Sequence, residues 1–369
     1  MGNLPLGNFL YICTGFATYK YIIMTKIVKS PFQFGTLATK DNFIDRVEDR
    51  ALLKQLLSSH INTMLVSPRR WGKSSLVKMA MDELKAEDKS VRVCYIDGFS
   101  IGSEDEFYRV FASQVIACTS NKVERWISDA KSDKNTILQL PELLGKEKGL
   151  HIIVCIDEFQ QLANLPQYKD MEGKMRSAWQ QQEHVSYCFY GSKRTMMLEI
   201  FNNSNSPFYR FGQVIFMDKI AKEDWIPFIT SSFEKTGKKC SAEYASRICD
   251  IVECHSWYLQ QLCYFIWSYT DDEVDEDSYN RGLRQTLNIN TPMFQNDTEN
   301  LSQSQIEMLR AISNGETKLS SEDVKRRYSL GNPNTITKNK LALVKRDILD
   351  NDKGILTFVD PLYRIWLKG

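Results

Sequence analysis

Apolar residues fall along this chain in two rhythms. Short, nearly unbroken apolar runs at 61–66, 91–96, 151–156, 185–190 and 214–216 have the length of strands buried on both faces of a parallel sheet. Between them, at 47–57, 76–84, 104–118 and about 121–145, apolar residues recur at helical spacing. Strand-like runs alternating with helices predict a doubly wound, parallel-sheet α/β domain over residues 30–218. From 221 onward the rhythm is helical alone. Segments 222–236, 241–253 and 256–269 predict a small helical lid over 219–286. The acidic run 271–277 reads as a solvated turn or helix start, and the polar stretch 287–301, with one proline, as a linker. Residues 302–369 read as a third unit. A helix at 304–312, a second opened by the capping signature at 319–324, and a third capped by Asn334-Thr335 and running through Leu349 come first. A turn at 351–354 and a strand at 355–359 complete a winged-helix pattern.

The loop between the first strand and its helix carries chemistry. Val66-Ser67-Pro68-Arg69-Arg70-Trp71-Gly72-Lys73-Ser74-Ser75 has the spacing of a phosphate-binding loop, with Ser67 in place of the first glycine. Serine fits that corner if its φ is negative. The backbone N–H groups of such a loop and the N-terminus of the next helix favour a polyanion. Lys73 would reach the outer phosphates, and Ser74 would offer its hydroxyl to a magnesium ion. A basic turn before a helix is the alternative, and it accounts for neither the strand before the loop nor a second motif further on. That motif is Asp157-Glu158, about 84 residues after Lys73, at the end of a buried apolar run. Two carboxylates there are costly unless they meet a metal or a substrate. Asp157 suits a magnesium-bound water, and Glu158 suits a base that orients the attacking water. Gly191-Ser192-Lys193-Arg194 ends the next strand beside the same crevice, where Ser192 either senses a γ-phosphate or belongs to a simple turn. For Trp71 three roles are open: covering the nucleotide, facing a partner, or packing on a neighbouring helix.

Composition narrows the class further. A chain of 369 residues has room for two or three domains, and 47 basic against 46 acidic residues leave a formal net charge of +1. That balance gives the whole chain no electrostatic grip on nucleic acid or membrane, although local patches stay open. Nine cysteines are scattered without Cys-x-x-Cys pairs, several inside apolar runs, as suits buried thiols in a reducing cytosol. The four histidines, at 60, 151, 184 and 255, lack metal-ligand spacing. A cytoplasmic location is expected. Residues 8–24 are apolar and aromatic, but they lack a basic n-region and a cleavage site, are short for a membrane span, and contain Lys20. Either Met24 is the true start of the protein, the favoured reading, or this N-terminal extension (1–29) is a weak membrane or partner anchor.

The order of motifs resembles the archaeal-type ATPases of the STAND branch of P-loop NTPases, relatives of AAA+ proteins, over about residues 30–369. Pro31-Phe32-Gln33-Phe34-Gly35 and Phe43-Ile44-Asp45-Arg46 are similar to that family's opening motif. Pro68-Arg69-Arg70-Trp71-Gly72-Lys73-Ser74-Ser75-Leu76 is similar to its phosphate loop and is the most specific piece. Ile156-Asp157-Glu158-Phe159-Gln160 resembles its Walker B, and Gly191-Ser192 its sensor. Pro207-Phe208-Tyr209-Arg210 looks like its Pro-Leu-Tyr-Gly-Arg element without the glycine, which implies that Arg210 approaches the γ-phosphate. His255-Ser256-Trp257-Tyr258-Leu259-Gln260 resembles the lid motif, with Ser256 in place of proline and Cys254 in place of a frequent glycine, and implies a lid contact from His255 to the nucleotide. Residues 358–367 are similar to the family's winged-helix ending.

Two functions follow from these readings. The first is an ATP- and Mg2+-dependent ATPase, slow in turnover, that acts as a switch on a protein client or a second copy of itself. Glu158 positions water, while Lys73 with Arg210 or Arg194 offsets charge. The alternative is a nucleotide-dependent DNA-binding regulator with little hydrolysis. It requires Lys338, Lys340, Lys345 and Arg346 to share an exposed face. ATP over GTP rests on the resemblance and on the lack of an Asn-Lys-x-Asp motif.

Overall fold

The computed structural model describes residues 29–37, 43–44, 46–119, 133–352 and 354–368. The readings of residues 8–24 and of the first part of the helix expected at 121–145 lie outside the described residues. Helix α1 (Val47–Ser58) leads into β1 (Thr63–Val66), α2 (Lys73–Glu87), β2 (Val91–Asp97), α3 (Glu104–Thr119), α4 (Lys134–Lys148) and β3 (His151–Asp157). Then come α5 (Tyr168–Trp179), β4 (Val185–Gly191), α6 (Arg194–Asn202) and β5 (Gln213–Phe216). The five strands form one parallel sheet in the order β2-β3-β4-β1-β5, so β4 separates the strand before the phosphate loop from the strand that ends in Asp157.

Every residue of β1 and β4 is buried, and only the two ends of β3 are partly open. Covered on both faces, these strands read as unbroken apolar runs. On one face Phe159, Trp179, Phe189 and Phe208 pack together, with the Phe159 and Phe189 ring centroids 4.5 Å apart. On the other, Leu76, Val77, Ala80 and Met81 of α2 lie in one cluster with Leu65, Cys155 and Cys188 of the strands. Each such large side chain stabilises the fold by roughly 2 kcal/mol. The register lines up the C-terminal ends of the strands. Asp97 pairs with Asp157, Asp157 with Tyr190, and Val66 lies between Gly191 and Phe216. That row is where ligands of open parallel sheets bind.

The rest of the chain is helical, then winged. It comprises α7 (Lys222–Glu234), α8 (Ala242–Ile251), α9 (Ser256–Tyr269), α10 (Glu276–Glu299), α11 (Gln303–Ser313), α12 (Glu322–Arg327) and α13 (Pro333–Lys345). The hairpin β6 (Leu349–Asp352) and β7 (Ile355–Phe358) and the closing helix α14 (Pro361–Trp366) follow. One continuous apolar cluster runs through all of it, from Trp225 and Tyr258 to Phe294, Leu343 and Tyr363.

Two expectations change here. Residues 287–301 are no linker, because α10 runs through Glu299. Its polar residues satisfy themselves: Thr286, Asn290, Thr291 and Thr298 each donate to the carbonyl four residues back, and Asn290 also donates to Gln261 Oε1 at 2.8 Å. The third winged helix starts earlier than expected. Asn332 caps it by accepting from the Thr335 amide at 2.9 Å, with Pro333 at the first turn. It also stops at Lys345, and Asp347 takes a left-handed φ of 56° just past its end. Among the described residues, no helix is long and apolar enough to cross a membrane.

Candidate functional site

The loop after β1 is held by its own backbone shape. Its left-handed positions are Arg70 (φ 64°) and Gly72 (φ 92°), and Ser67 is not among the residues of positive φ. Serine therefore occupies the first-glycine corner without strain. Glycine is needed at 72, where α2 begins. Arg70 is the costly residue, since a non-glycine side chain in that region costs about 1 kcal/mol or more. Its guanidinium is engaged elsewhere: it lies 5.0 Å from the Trp257 ring centroid, and Nη1 donates to Tyr258 Oη at 3.3 Å. Lys73 is buried, and its Nζ donates to the Ser67 and Pro68 carbonyls, both at 3.1 Å. Burial pulls its ammonium down to about 8, against the opposing pull of Glu158 and Asp157.

Across β4, Asp157 accepts from Ser74 Oγ at 2.8 Å, so the two residues proposed to hold magnesium already meet. Burial raises the Asp157 carboxyl to about 6, and the Glu158 charge adds to that; the Ser74 hydrogen bond works the other way. A half-buried carboxylate beside a hydroxyl is a fitting donor set for a hard cation that keeps its waters and borrows phosphate oxygens. No all-protein cluster of metal ligands occurs among the described residues. Glu158 sits at φ 46°, and its amide donates to Asp157 Oδ1 at 2.8 Å. Its Oε2 accepts from Gln160 Nε2 and from Ser192 Oγ, the latter at 2.8 Å. Arg69 Nε in turn donates to Ser192 Oγ at 3.3 Å. Gly191 makes room for this bridge, because a Cβ there would lie 1.9 Å from Gln160 Oε1.

Two cavities flank the loop and share Arg69 and Arg70. One, of about 670 Å³, runs from Gly72, Lys73, Ser74, Ser75, Asp157 and Glu158 to an apolar end at Phe34, Ile44, Trp225 and Trp257. Its lining joins charged and polar side chains to aromatic and aliphatic ones. Trp71 lines it too, packs against the sheet cluster, and has the Lys219 ammonium 5.6 Å from its ring centroid. The other cavity, about 700 Å³, lies between the loop and the winged region, and both Ser192 and His255 line it. His255 thus belongs to the second cavity rather than the one that holds Lys73. It is buried, and its Nδ1 has no hydrogen-bond partner among the described residues.

Arg210 is the correction. It lies three residues before β5, whose first residue, Gln213, pairs with Thr63 at the start of β1. That is the N-terminal edge of the sheet, about 13 Å of strand away from the loop. Its guanidinium sits 5.2 Å from the Tyr209 ring centroid, and it lines neither cavity.

Residues that the sequence reading held only as parts of motifs, with no role of their own, complete the site. Arg46 is buried and donates to the carbonyls of Trp71 (3.3 Å) and Asp218 (2.9 Å), tying the loop to the chain that leaves β5. Gln160 holds Glu158. Tyr258 Oη, which accepts from Arg70, donates to Asp360 Oδ2, and Asp360 caps α14 by accepting from the Leu362 and Tyr363 amides at 3.0 and 3.1 Å. The motif Phe43-Ile44-Asp45-Arg46 was the available signal for Arg46; nothing local marks Tyr258 and Asp360 as partners.

A parallel sheet in this strand order, with a phosphate loop after β1, a carboxylate pair after β3 and a winged helix behind, defines a P-loop NTPase of the AAA+-like kind. Over residues 43–262 the chain matches the family described as an ATPase domain predominantly from Archaea, and it belongs to that family. Residues 292–369 match a probable winged helix domain. No curated protein matches the chain. Among solved structures, a Walker-type ATPase of Pyrococcus abyssi is similar, with 18% identity, a TM-score of 0.72, and coverage of 89% of this chain and 97% of that one. The ORC2 protein of Aeropyrum pernix, solved with ADPNP and ADP, has 14% identity and a TM-score of 0.62, covering 92% and 97%. The ORC1 protein of the same organism, solved with DNA, has 12% identity and a TM-score of 0.51, covering 88% and 92%. At these identities the likeness is one of fold.

Proposed function

We propose that this chain binds ATP with Mg2+ in the 670 Å³ cavity, hydrolyses it, and uses the change to release its winged helix. The loop N–H groups and Lys73 bind the phosphates, and Lys73 leaves the Ser67 and Pro68 carbonyls to do so. Ser74 and Asp157 hold the metal, which when bound neutralises charge between the outer phosphates. Glu158, aimed by Ser192 and Gln160, orients the attacking water and takes its proton. Ser192 is one hydrogen bond from that base, so it reports on the γ-phosphate. Trp257 and Phe34 cover the base of the nucleotide. Arg210 serves the reaction only from a second copy of the chain, given its place on the far edge of the sheet.

The observation that carries the switch reading is the unbroken path Arg70–Tyr258–Asp360. It joins the phosphate loop to α9 and to the cap of the last helix of the winged region. A loop that closes on phosphates must move Arg70, and Arg70 is the loop's hold on Tyr258. Steady-state hydrolysis with Mg·ATP, beside nucleotide binding, tests the enzymatic part. Wild type is expected to turn over, Lys73→Ala to lose ATP binding, and Glu158→Gln to bind ATP with turnover lowered at least about 100-fold. Equal turnover in wild type and Glu158→Gln removes Glu158 from the mechanism.

The DNA reading has a specific obstacle. Lys338, Lys345 and Arg346 are exposed and Lys340 is half-buried, but Lys340, two residues on from Lys338, lies on the other side of α13, and Arg346 donates to the Asn300 carbonyl at 2.6 Å, so the four basic residues do not form one face. DNA binding by α13 would rest on Lys338 and Lys345, seven residues apart on one side of the helix, with affinity falling steeply in salt.

A further inference from the structure

The 700 Å³ cavity on the far side of the phosphate loop shares Arg69, Arg70 and Ser192 with the site described above, and the rest of its lining has no role in nucleotide binding. Six cations line it: Arg69, Arg70, Lys193, Arg194, Lys345 and Arg346. Four carboxylates face them, Asp297, Asp347, Asp350 and Asp360. Arg69 and Ser192, both lining residues, form the hydrogen-bonded bridge that ends on Glu158 Oε2. The cavity therefore begins one hydrogen bond from the group that handles the γ-phosphate. His255 adds a buried ring nitrogen, Nδ1, without a partner among the described residues. Burial holds that imidazole neutral, lowering it to about 3, so it can donate or accept without adding charge.

The geometry points to this cavity as a binding site for inorganic phosphate, the product cut from ATP, held by Lys193, Lys345 and Arg69 on its way out. The assignment rests on the hydrolysis reading above. The winged region supplies the opposite wall, and its carboxylates are the site's present anions. Asp350 pairs with Arg194 at 3.5 Å, and Asp347 is drawn by Lys193 and Arg69. Burial nevertheless keeps the Asp347 carboxyl above its usual range, so this hold on the cations is weak. A phosphate dianion carries more charge than either carboxylate and competes for the same cations. Its arrival displaces Asp347 and Asp350, loosening the docked winged helix at the moment of cleavage. Mixed charge in the cavity, otherwise hard to explain for an anion site, is what such a competition requires.

Calorimetric titration of inorganic phosphate into the full chain saturated with Mg·ADP tests this, with ADP binding measured separately. Lys193→Ala and Lys345→Ala should each weaken phosphate binding about 5-fold, and Asp347→Asn should tighten it by a similar factor, with ADP affinity unchanged in all. Asparagine tolerates the left-handed backbone at 347, so that variant keeps the turn. If ADP binds and phosphate affinity is the same in all four proteins, phosphate stays on the loop and the cavity assignment fails. If glycerol phosphate binds without ADP as tightly as inorganic phosphate does with it, the cavity serves an external effector and the product assignment fails. If ADP itself does not bind, the nucleotide reading is what has failed, and the product assignment falls with it.

Discussion

Buried charge marks the individual residues that matter here. Asp157 and Lys73 are both desolvated in the nucleotide-free protein, each shifted toward its neutral form, chiefly by burial. Such groups cost stability until a ligand of opposite charge arrives. For Asp157 the folded value, about 6, lies above the model-peptide value of 3.8, so the folded state binds the extra proton between those limits. Stability from this group therefore falls as pH rises from about 4 through 6, and the full penalty stands at pH 7. Asp157→Asn is expected to raise the stability of the nucleotide-free protein at pH 7 by up to about 3 kcal/mol, while Mg-dependent hydrolysis is lost. Denaturant titration of both proteins at pH 7 and pH 4 checks this, and the gain should vanish at pH 4. Most of these residues were legible in the sequence. Ser67, Lys73, Ser74, Asp157 and Glu158 come together because loop spacing and a strand ending in two carboxylates dictate where they must be. Arg210 was misplaced because a motif gives position along the chain, while the parallel register decides which edge of the sheet it reaches.

At the scale of elements, packing and not propensity decided what the sequence hid. Helix α10 carries Pro292 and a run of Asn and Thr, residues that favour turns, and so it reads as linker. Its polar side chains fold back on its own carbonyls, while Phe294 reaches Tyr363 of α14 with ring centroids 5.4 Å apart. The contact between Tyr258 and Asp360 is equally silent in the sequence, since 102 residues separate the two. Tyr258→Phe removes one hydroxyl from the middle of that path and keeps the ring. It leaves a buried carboxylate at Asp360 with its two amide partners alone, a loss of about 1–3 kcal/mol of docking. Amide hydrogen exchange in α14 should quicken about 5- to 160-fold in this variant, while the amides of β3 and β4 stay unchanged. Uniform exchange change across the chain would mean that Tyr258 only stabilises the fold.

For the whole molecule, acid is a second lever. His255 and His151 are both lowered mainly by burial, to about 3 and about 4, and His60 stacks on His151 with ring centroids 4.0 Å apart. Each is neutral when folded, so its contribution is full above about pH 6.5 and is lost as pH falls toward 4. Acid unfolding should therefore begin below pH 6.5, and His151→Gln should flatten the slope of stability against pH between 6.5 and 4, read from denaturant midpoints. This runs opposite to Asp157, and the two histidines outweigh it. Nucleotide is the other lever, and it acts through the Arg70–Tyr258–Asp360 path from loop to winged helix. The measurement that tests that account most directly is hydrogen exchange of α14 and β6 in Glu158→Gln holding Mg·ATP, set against wild type holding Mg·ADP. Loss of protection in α14 and β6 in one nucleotide state, abolished by Tyr258→Phe, is the predicted result. Identical protection in both states, with both nucleotides shown to be bound, would contradict it.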